Sequence, residues 1–369
     1  MKVLVLHPPM YPVNYDFYNY LGEYVDLTIF QFGEHPVHHK HWHSDNLKGL
    51  ARNFQLKVFG KGPVTFKNVL FSLKFKEVKD LSPDIVLSIA FWLPSLYFSL
   101  LSIIMKFKFV ILTNAIIETE KNNSVIKHLF RKIICKNTIF IVSASELTND
   151  YLERLVEQDK IRLSVQTIDI DCWRNDILSL KTKKQLRQEL EIPINVNVIL
   201  GVGNFIKKKN WLCIMKSLRN LDDVLFILIG RGSDLMEYRS YIKQHDLETK
   251  VLILDVIQGT ELKKYYKLSD LFILPSLYDQ FGFVVPEALA SGLPVICSKN
   301  TGASCLINNG INGYVFDPDE FILDELIINT IDNLEYFQDN AYESIKHKEL
   351  EYRAKQFYNI FKEAIGRNL

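Results

Sequence analysis

The chain has too few cysteines, too widely scattered, to build a disulfide frame. Its five (Cys135, Cys172, Cys213, Cys297 and Cys305) are odd in number and form no Cys-x-x-Cys pair. That excludes a zinc ribbon and points to reduced thiols in a cytoplasmic protein. Charge of one sign is lacking too: 44 Lys and Arg against 43 Asp and Glu leave a net +1, without the basic excess of a nucleic-acid binder. A secretory h-region is also missing, because residues 1–6 are too short for one and end at His7-Pro8-Pro9, so they read as a first buried strand. One uncharged run, residues 85–105, reaches bilayer length. Pro94 divides it, and the β-rich start follows Ser82-Pro83-Asp84, so it reads as a buried strand and then an apolar helix over about 95–107. A transmembrane helix, or a helix lying in a membrane interface with Lys106 and Lys108 at its edge, are the alternatives.

What is present is the composition of an ordinary globular chain, 48% apolar and 24% charged over 369 residues, long enough for two domains. Short β-rich runs alternate with helical patterns. The first series is 3–6, 27–30, 85–89, 109–112 and 139–142; the second is 198–202, 225–229, 251–254, 271–274, 294–298 and 313–316. Such alternation predicts parallel sheets of βαβ units, and the charged stretch 171–191 divides two of them. Ligands then bind beyond the carboxyl ends of the strands. Residues 341–364 read as one closing helix with a Tyr352, Phe357, Phe361 stripe.

Chemistry concentrates in residues 274–296, LPSLYDQFGFVVPEALASGLPVI, which hold two carboxylates, Asp279 and Glu287. Pro286 and Glu287 suit the first turn of a helix, and Gly292 suits its stop. Phe281, Gly282, Phe283 and Val284 can offer backbone N–H groups to a ligand at the helix start. A carboxylate there is a good bidentate acceptor for two neighbouring sugar hydroxyls. A second segment is a strand, 198–202, running into Gly203-Asn204-Phe205 and then Lys207-Lys208-Lys209. A diphosphate needs cations, and lysine serves as a point charge for it; a solvated basic loop is the plainer alternative. Gly201-x-Gly203 lacks the third glycine and acidic partner of a dinucleotide fingerprint.

These residues resemble the nucleotide-sugar motif of family 4 glycosyltransferases, whose pattern is Glu, seven residues, Glu, then Glu-Ala-x-Ala-x-Gly-x-Pro-Val. Here the second Glu is Glu287, followed by Ala288, Ala290, Gly292, Pro294 and Val295, and Asp279 stands in the first position. The family's Gly-Arg, four residues, Lys-Gly pattern falls on Gly203, Asn204 and Lys209, with Asn in place of Arg. Gly230-Arg231-Gly232 resembles its strand-then-Gly-x-Gly turn, Val256-Ile257 falls where its nucleobase sits, and residues 168–173 resemble its crossover into the second domain.

The resemblance implies an α/β GT-B fold, two doubly wound Rossmann-like domains facing a central cleft. The N-terminal acceptor-binding domain is expected over 1–172, the nucleotide-sugar domain over 173–345, and a C-terminal helix, 346–369, packing back on the first. It implies a retaining hexosyltransferase that uses a nucleoside diphosphate sugar as co-substrate, with no other cofactor and no metal. In that reading Glu287 grips the ribose, Asp279 lies by the donor sugar and Lys209 meets the diphosphate. The implied acceptor is a glycan or lipid-linked glycan, in bacterial surface polysaccharide assembly at the inner face of the membrane. A basic patch, Lys127, His128, Arg131, Lys132 and Lys136, with the apolar 95–107 segment, suits contact with an anionic membrane.

The departures from the family pattern keep two rivals open, a non-catalytic GT-B subunit and a nucleotide-sugar epimerase. Besides Asp279 and Asn204, the first loop, Pro8-Pro9-Met10-Tyr11-Pro12, lacks glycine, and either Asn114 or Glu118 stands where the family places its N-domain catalytic residue. Two further patterns are metal-like. Asp169-x-Asp171 has hard oxygen ligands but falls at the crossover, and His35, His38, His39, His41 and His43 share one short stretch that reads as a solvated loop.

Overall fold

The computed structural model describes residues 1–35, 52–62, 75–121, 124–320 and 322–367. They form two units, 1–166 with 350–369 and 167–349.

The first unit is built on seven strands: β1 (Lys2–His7), β2 (Asp26–Phe32), β3 (Gln55–Phe59), β4 (Ile85–Ile89), β5 (Lys108–Thr113), β6 (Phe140–Ser143) and β7 (Ile161–Leu163). Their order is β3-β2-β1-β4-β5-β6-β7, and the pairs run parallel. Strands buried on both faces need near-continuous apolar runs, and β1 and β4 supply them. One face packs on helices Pro12–Tyr24 and Leu350–Gly366, where Phe17 meets Phe357 edge-on at 5.1 Å. Helices Leu93–Met105 and Val125–Lys136 cover the other.

The second unit has six parallel strands: β8 (Asn197–Val202), β9 (Val224–Ile229), β10 (Val251–Leu254), β11 (Leu271–Leu274), β12 (Val295–Ser298) and β13 (Gly313–Phe316). Their order is β10-β9-β8-β11-β12-β13. In each sheet the strand order reverses beside the first strand, the point where doubly wound sheets open a crevice for ligands.

Several expectations need correction. The unit boundary falls after residue 166, not 172, because Asp169 caps the helix Ile170–Ser179, accepting the Cys172 N–H at 2.9 Å, and that helix belongs to the second unit. The single helix over 341–364 is two, Leu334–Glu343 and Leu350–Gly366, one in each unit. Tyr352 is 57% exposed, and Ala354, Phe357, Ile360, Phe361 and Ala364 form the buried stripe instead. The apolar helix runs Leu93–Met105 rather than 95–107. Pro94 sits harmlessly in its first turn, and Lys106 closes it in a left-handed conformation with its N–H on Ser102 O. Edge strands β3 and β7 had no counterpart among the predicted strands. Among the described residues no helix is long and apolar enough to cross a membrane.

Candidate functional site

The second sheet's switch point lies between β8 and β11, and the loops leaving these two strands carry the motif residues. After β8 the chain turns through a short 3-10 segment, Lys207–Lys209, and Asn210 takes φ 54° to start the helix Trp211–Ser217. The turn separates the three lysines. Lys207 is exposed, Lys208 lies over the Tyr278 ring at 5.6 Å, and Lys209 points inward with its side chain 13% exposed. There Lys209 Nζ meets Asp279 Oδ2 at 2.5 Å. Backbone bonds join the two loops: Leu277 N–H donates to Lys208 O at 2.8 Å, and Asn210 Nδ2 donates to Pro275 O at 3.3 Å.

Glycine is required on both sides of this pair. A side chain on Gly203 would start 3.8 Å from Lys209 Nζ and 3.2 Å from the Trp211 ring. Gly282 takes φ 91°, where L-residues are strained, with a Cβ position only 2.9 Å from Leu274 and 3.9 Å from Asp279 Oδ2. Gly230 and Gly232 pack tightly behind, against the Gly203 and Phe205 carbonyls, 2.0 and 2.2 Å from where a Cβ would stand. Asp279 is held from the other side by the loop after β12. Its N–H donates to Asn300 O at 3.0 Å, and its carbonyl accepts from Gly302 at 3.1 Å.

Glu287 sits in a separate cluster. The helix Val284–Ala290 carries it in the first turn and stops at Gly292, φ 84°. Tyr266 donates its hydroxyl to Glu287 Oε2 at 2.8 Å, and Trp173 packs edge-on against Tyr266 at 5.4 Å. Trp173 in turn donates to Ser291 Oγ at 2.8 Å, and Lys263 lies over its ring at 4.7 Å. Burial pushes the Glu287 carboxyl up to about 7, against the opposing pull of the Tyr266 hydroxyl and Lys263. Burial, reinforced by that carboxylate, holds the Tyr266 phenol well above its ordinary value. One carboxylate oxygen is therefore already engaged, and the other keeps its full acceptor capacity. The Tyr266 bond occupies one of the roughly four lone-pair sites of the carboxylate, so two neighbouring hydroxyls still find acceptors there.

The remaining motif residues spread along the carboxyl edge of the sheet. Asn204 is exposed and contributes its carbonyl, which accepts from Trp211 Nε1 at 3.1 Å. Arg231 is exposed, and its carbonyl accepts from Phe205 N–H at 2.8 Å. Val256 and Ile257, partly buried, follow β10, two strands from β8 and so roughly 10 Å away. Phe281 is buried edge-on against Phe283 at 5.1 Å, with Phe283 and Val284 partly exposed beside Gly282. Tyr266, Trp173 and Asn300 escaped sequence reasoning. Trp173 stood in the crossover stretch and Tyr266 in residues 261–266, which follow the expected nucleobase position, but neither was given a role.

The Asp169-x-Asp171 pattern does not assemble a metal site. Asp169 is spent as a helix cap and Asp171 is exposed. Among the described residues no group of three or more His, Cys, Asp or Glu is placed to hold an ion. His38, His39, His41 and His43 lie outside the described residues. In the first unit the glycine-poor loop after β1 spends the Met10 N–H on Gln31 Oε1 at 3.3 Å. Glu118 pairs with Lys121 at 3.6 Å.

Residues 182–345 match the family model described as glycosyl transferases group 1. An uncharacterized glycosyltransferase of Methanocaldococcus jannaschii is 28% identical over 218 residues, 56% of this chain and 55% of that protein. The UDP-Gal:alpha-D-GlcNAc-diphosphoundecaprenol alpha-1,3-galactosyltransferase of Escherichia coli is 28% identical over 179 residues, 46% of this chain and 45% of that protein. The chain thus spans about half the length of these curated relatives. Among solved structures, a Rickettsia africae glycosyltransferase superposes with TM-score 0.80 at 18% identity, covering 100% of this chain and 99% of that one. Anabaena HepE in complex with UDP gives TM-score 0.79 at 17% identity, covering 98% and 100%. These likenesses show the fold, GT-B.

Proposed function

We propose that this chain, whose residues 182–345 match the family model of glycosyl transferases group 1, is a retaining hexosyltransferase. It moves a sugar from a nucleoside diphosphate sugar to a hydroxyl of a glycan or lipid-linked glycan, in bacterial surface polysaccharide assembly. One observation carries the reading: an inward-turned lysine, Lys209, is held against Asp279 at the switch point, with glycine backbone on both sides. That arrangement gives a diphosphate a cation, room for close approach and a neighbouring carboxylate for sugar hydroxyls.

In this reading the donor diphosphate competes with Asp279 for Lys209 and draws the ammonium toward itself. Asp279, released, accepts from hydroxyls of the hexose. The free oxygen of Glu287 accepts from the ribose while Tyr266 fixes the carboxylate's rotation, and Val256 and Ile257 seat the base. Gly203, Asn204, Gly230 and Arg231 line the phosphate side with backbone, joined by N–H groups of Phe281, Gly282, Phe283 and Val284. The anomeric C–O bond to the diphosphate breaks through an oxocarbenium-like state, and the acceptor oxygen bonds on the same face as its proton passes to the departing diphosphate oxygen. Orientation and stabilisation of the departing diphosphate supply the rate. No metal or further cofactor enters this scheme. The acceptor named for the E. coli relative, a diphosphoundecaprenol-linked sugar, supports a lipid-linked substrate.

The test is incubation with a panel of UDP- and GDP-sugars, with and without membrane lipid extract. Acceptor-dependent nucleotide release supports transfer. Epimerised donor without release identifies an epimerase, and tight nucleotide binding without turnover identifies a non-catalytic subunit.

A further inference from the structure

Two helices of the first unit carry an apolar surface that nothing in the sugar-transfer scheme uses. Leu93–Met105 and Val125–Lys136 pack side by side on one face of the sheet, and Phe98, Leu101, Ile134 and Cys135 turn into their shared core. With those faces fixed inward, the opposite faces point away from the sheet together. They present Leu100, Ile103 and Ile104 (46, 64 and 76% exposed) beside Val125, Ile126 and Leu129 (85, 76 and 58%). Single exposed aliphatics are ordinary; six on two adjacent helices make a patch that marks an interaction site.

The charge carried by the two helices has one sign, and the neighbouring Glu120 is taken up by Arg131. Neither helix contains an acidic residue, and the second carries Lys127, His128, Arg131, Lys132 and Lys136. Arg131 is turned inward to Glu120 Oε2 at 2.5 Å. Lys132 and Lys136 are exposed and follow Val125 and Leu129 along one helical ridge, spaced three and four residues apart. Lys106 is exposed at the end of the first helix.

We propose that this surface seats the protein on an anionic phospholipid bilayer. Both helices lie in the interface plane, the aliphatics reach the acyl boundary, and Lys106, Lys132 and Lys136 meet lipid phosphates. The 13-residue first helix is roughly 20 Å long, too short to cross the bilayer's hydrocarbon core. Charge complementarity selects this occupant over a second copy of the chain, since a two-fold contact through the same face brings two cationic helix faces together. The proposal rests on this surface alone and holds whether or not the chain transfers sugar.

The test is sedimentation of the full chain with phosphatidylcholine vesicles and with phosphatidylcholine–phosphatidylglycerol vesicles, at low and high salt. The protein is expected to bind only the anionic vesicles. Lys132→Glu with Lys136→Glu is expected to lower partitioning at least about tenfold, and Ile103→Ser with Ile104→Ser to lower it comparably. All four sites are exposed, so melting temperatures should stay unchanged, and Lys243→Glu in the second unit should bind like the wild type. Vesicle binding by wild type that these variants leave intact, equal binding to uncharged vesicles, or no binding at all overturns the proposal. A wild-type dimer in sedimentation equilibrium that the same variants dissociate assigns the surface to a second copy instead.

Discussion

Lys209 and Asp279 stand 70 positions apart in the chain and 2.5 Å apart in space, paired at the point where the second sheet reverses its strand order. The pair is partly buried, 13 and 16% exposed at the side chains, so neither charge is fully screened by water. Each is therefore poised to exchange its partner for a ligand group.

Asp279→Asn separates the two roles. Removing the competing carboxylate leaves Lys209 to the diphosphate, so nucleoside diphosphate binding is expected to tighten several-fold. Turnover is expected to fall about a hundredfold with loss of the sugar contact. Calorimetric titration and initial rates on the same preparation check both. Weakened nucleotide binding would show that Asp279 only orients the lysine.

Glu287→Gln trades stability against binding. A carboxyl whose pKa is 4.5 in the unfolded chain and about 7 in the fold holds more protons folded than unfolded between those values. Stability therefore falls as pH rises through that window. The neutral amide avoids that cost, so Glu287→Gln is expected to be more stable at pH 8 by about 1–3 kcal/mol and equally stable near pH 4. Nucleotide affinity drops with the lost acceptor. Chemical denaturation of wild type and variant at both pH values reads the difference.

His7, buried at the end of β1, behaves with the opposite sign. Burial lowers it from 6.5 to about 4, with the Pro8 carbonyl opposing, so the fold holds fewer protons than the unfolded chain in that interval. The first unit is expected to lose up to about 3 kcal/mol as pH falls from 6.5 to 4. His7→Phe should flatten part of that slope in urea melts followed across the same interval.

Gly230→Ala places a methyl 2.0 Å from the Gly203 carbonyl at φ 155°. The expected cost is about 2–4 kcal/mol, with weaker nucleotide binding through the displaced Gly203 turn. Gly310→Ala, at φ 76° with open space around it, is expected to cost only about 1 kcal/mol. Thermal melts of both variants check the contrast.

The sequence was most readable where burial repeats. The central strands β1, β4, β8, β9 and β11 are continuous apolar runs, and their alternation with helices gave both sheets. Edge strand β3, QLKVF, is half-exposed and carries no such run, and β7 is three residues long. The closing helix was misread because Tyr352 looks apolar and lies out of phase, while the small Ala354 and Ala364 that keep the phase carry little signal. Motif residues were legible because turns constrain them: Gly203, Gly282 and Gly292 each sit at a positive φ. Their partners were not. Nothing in spacing says that Tyr266 should meet Glu287, or that Lys209 rather than Lys207 or Lys208 should turn inward. Those choices are made by the packing of Trp173 and by the 3-10 turn.

The central claim, a nucleoside diphosphate clamp at this switch point, is tested most directly by calorimetric titration of UDP and of GDP into wild type and three variants. The account predicts a single site for one of the two nucleotides. That site is weakened at least about thirtyfold by Lys209→Ala and, separately, by Glu287→Ala, each loss equivalent to about 2 kcal/mol, and is untouched by Lys184→Ala at an exposed helical position. Absence of binding to both nucleotides, or a site that Lys209→Ala and Glu287→Ala leave at wild-type affinity, contradicts it.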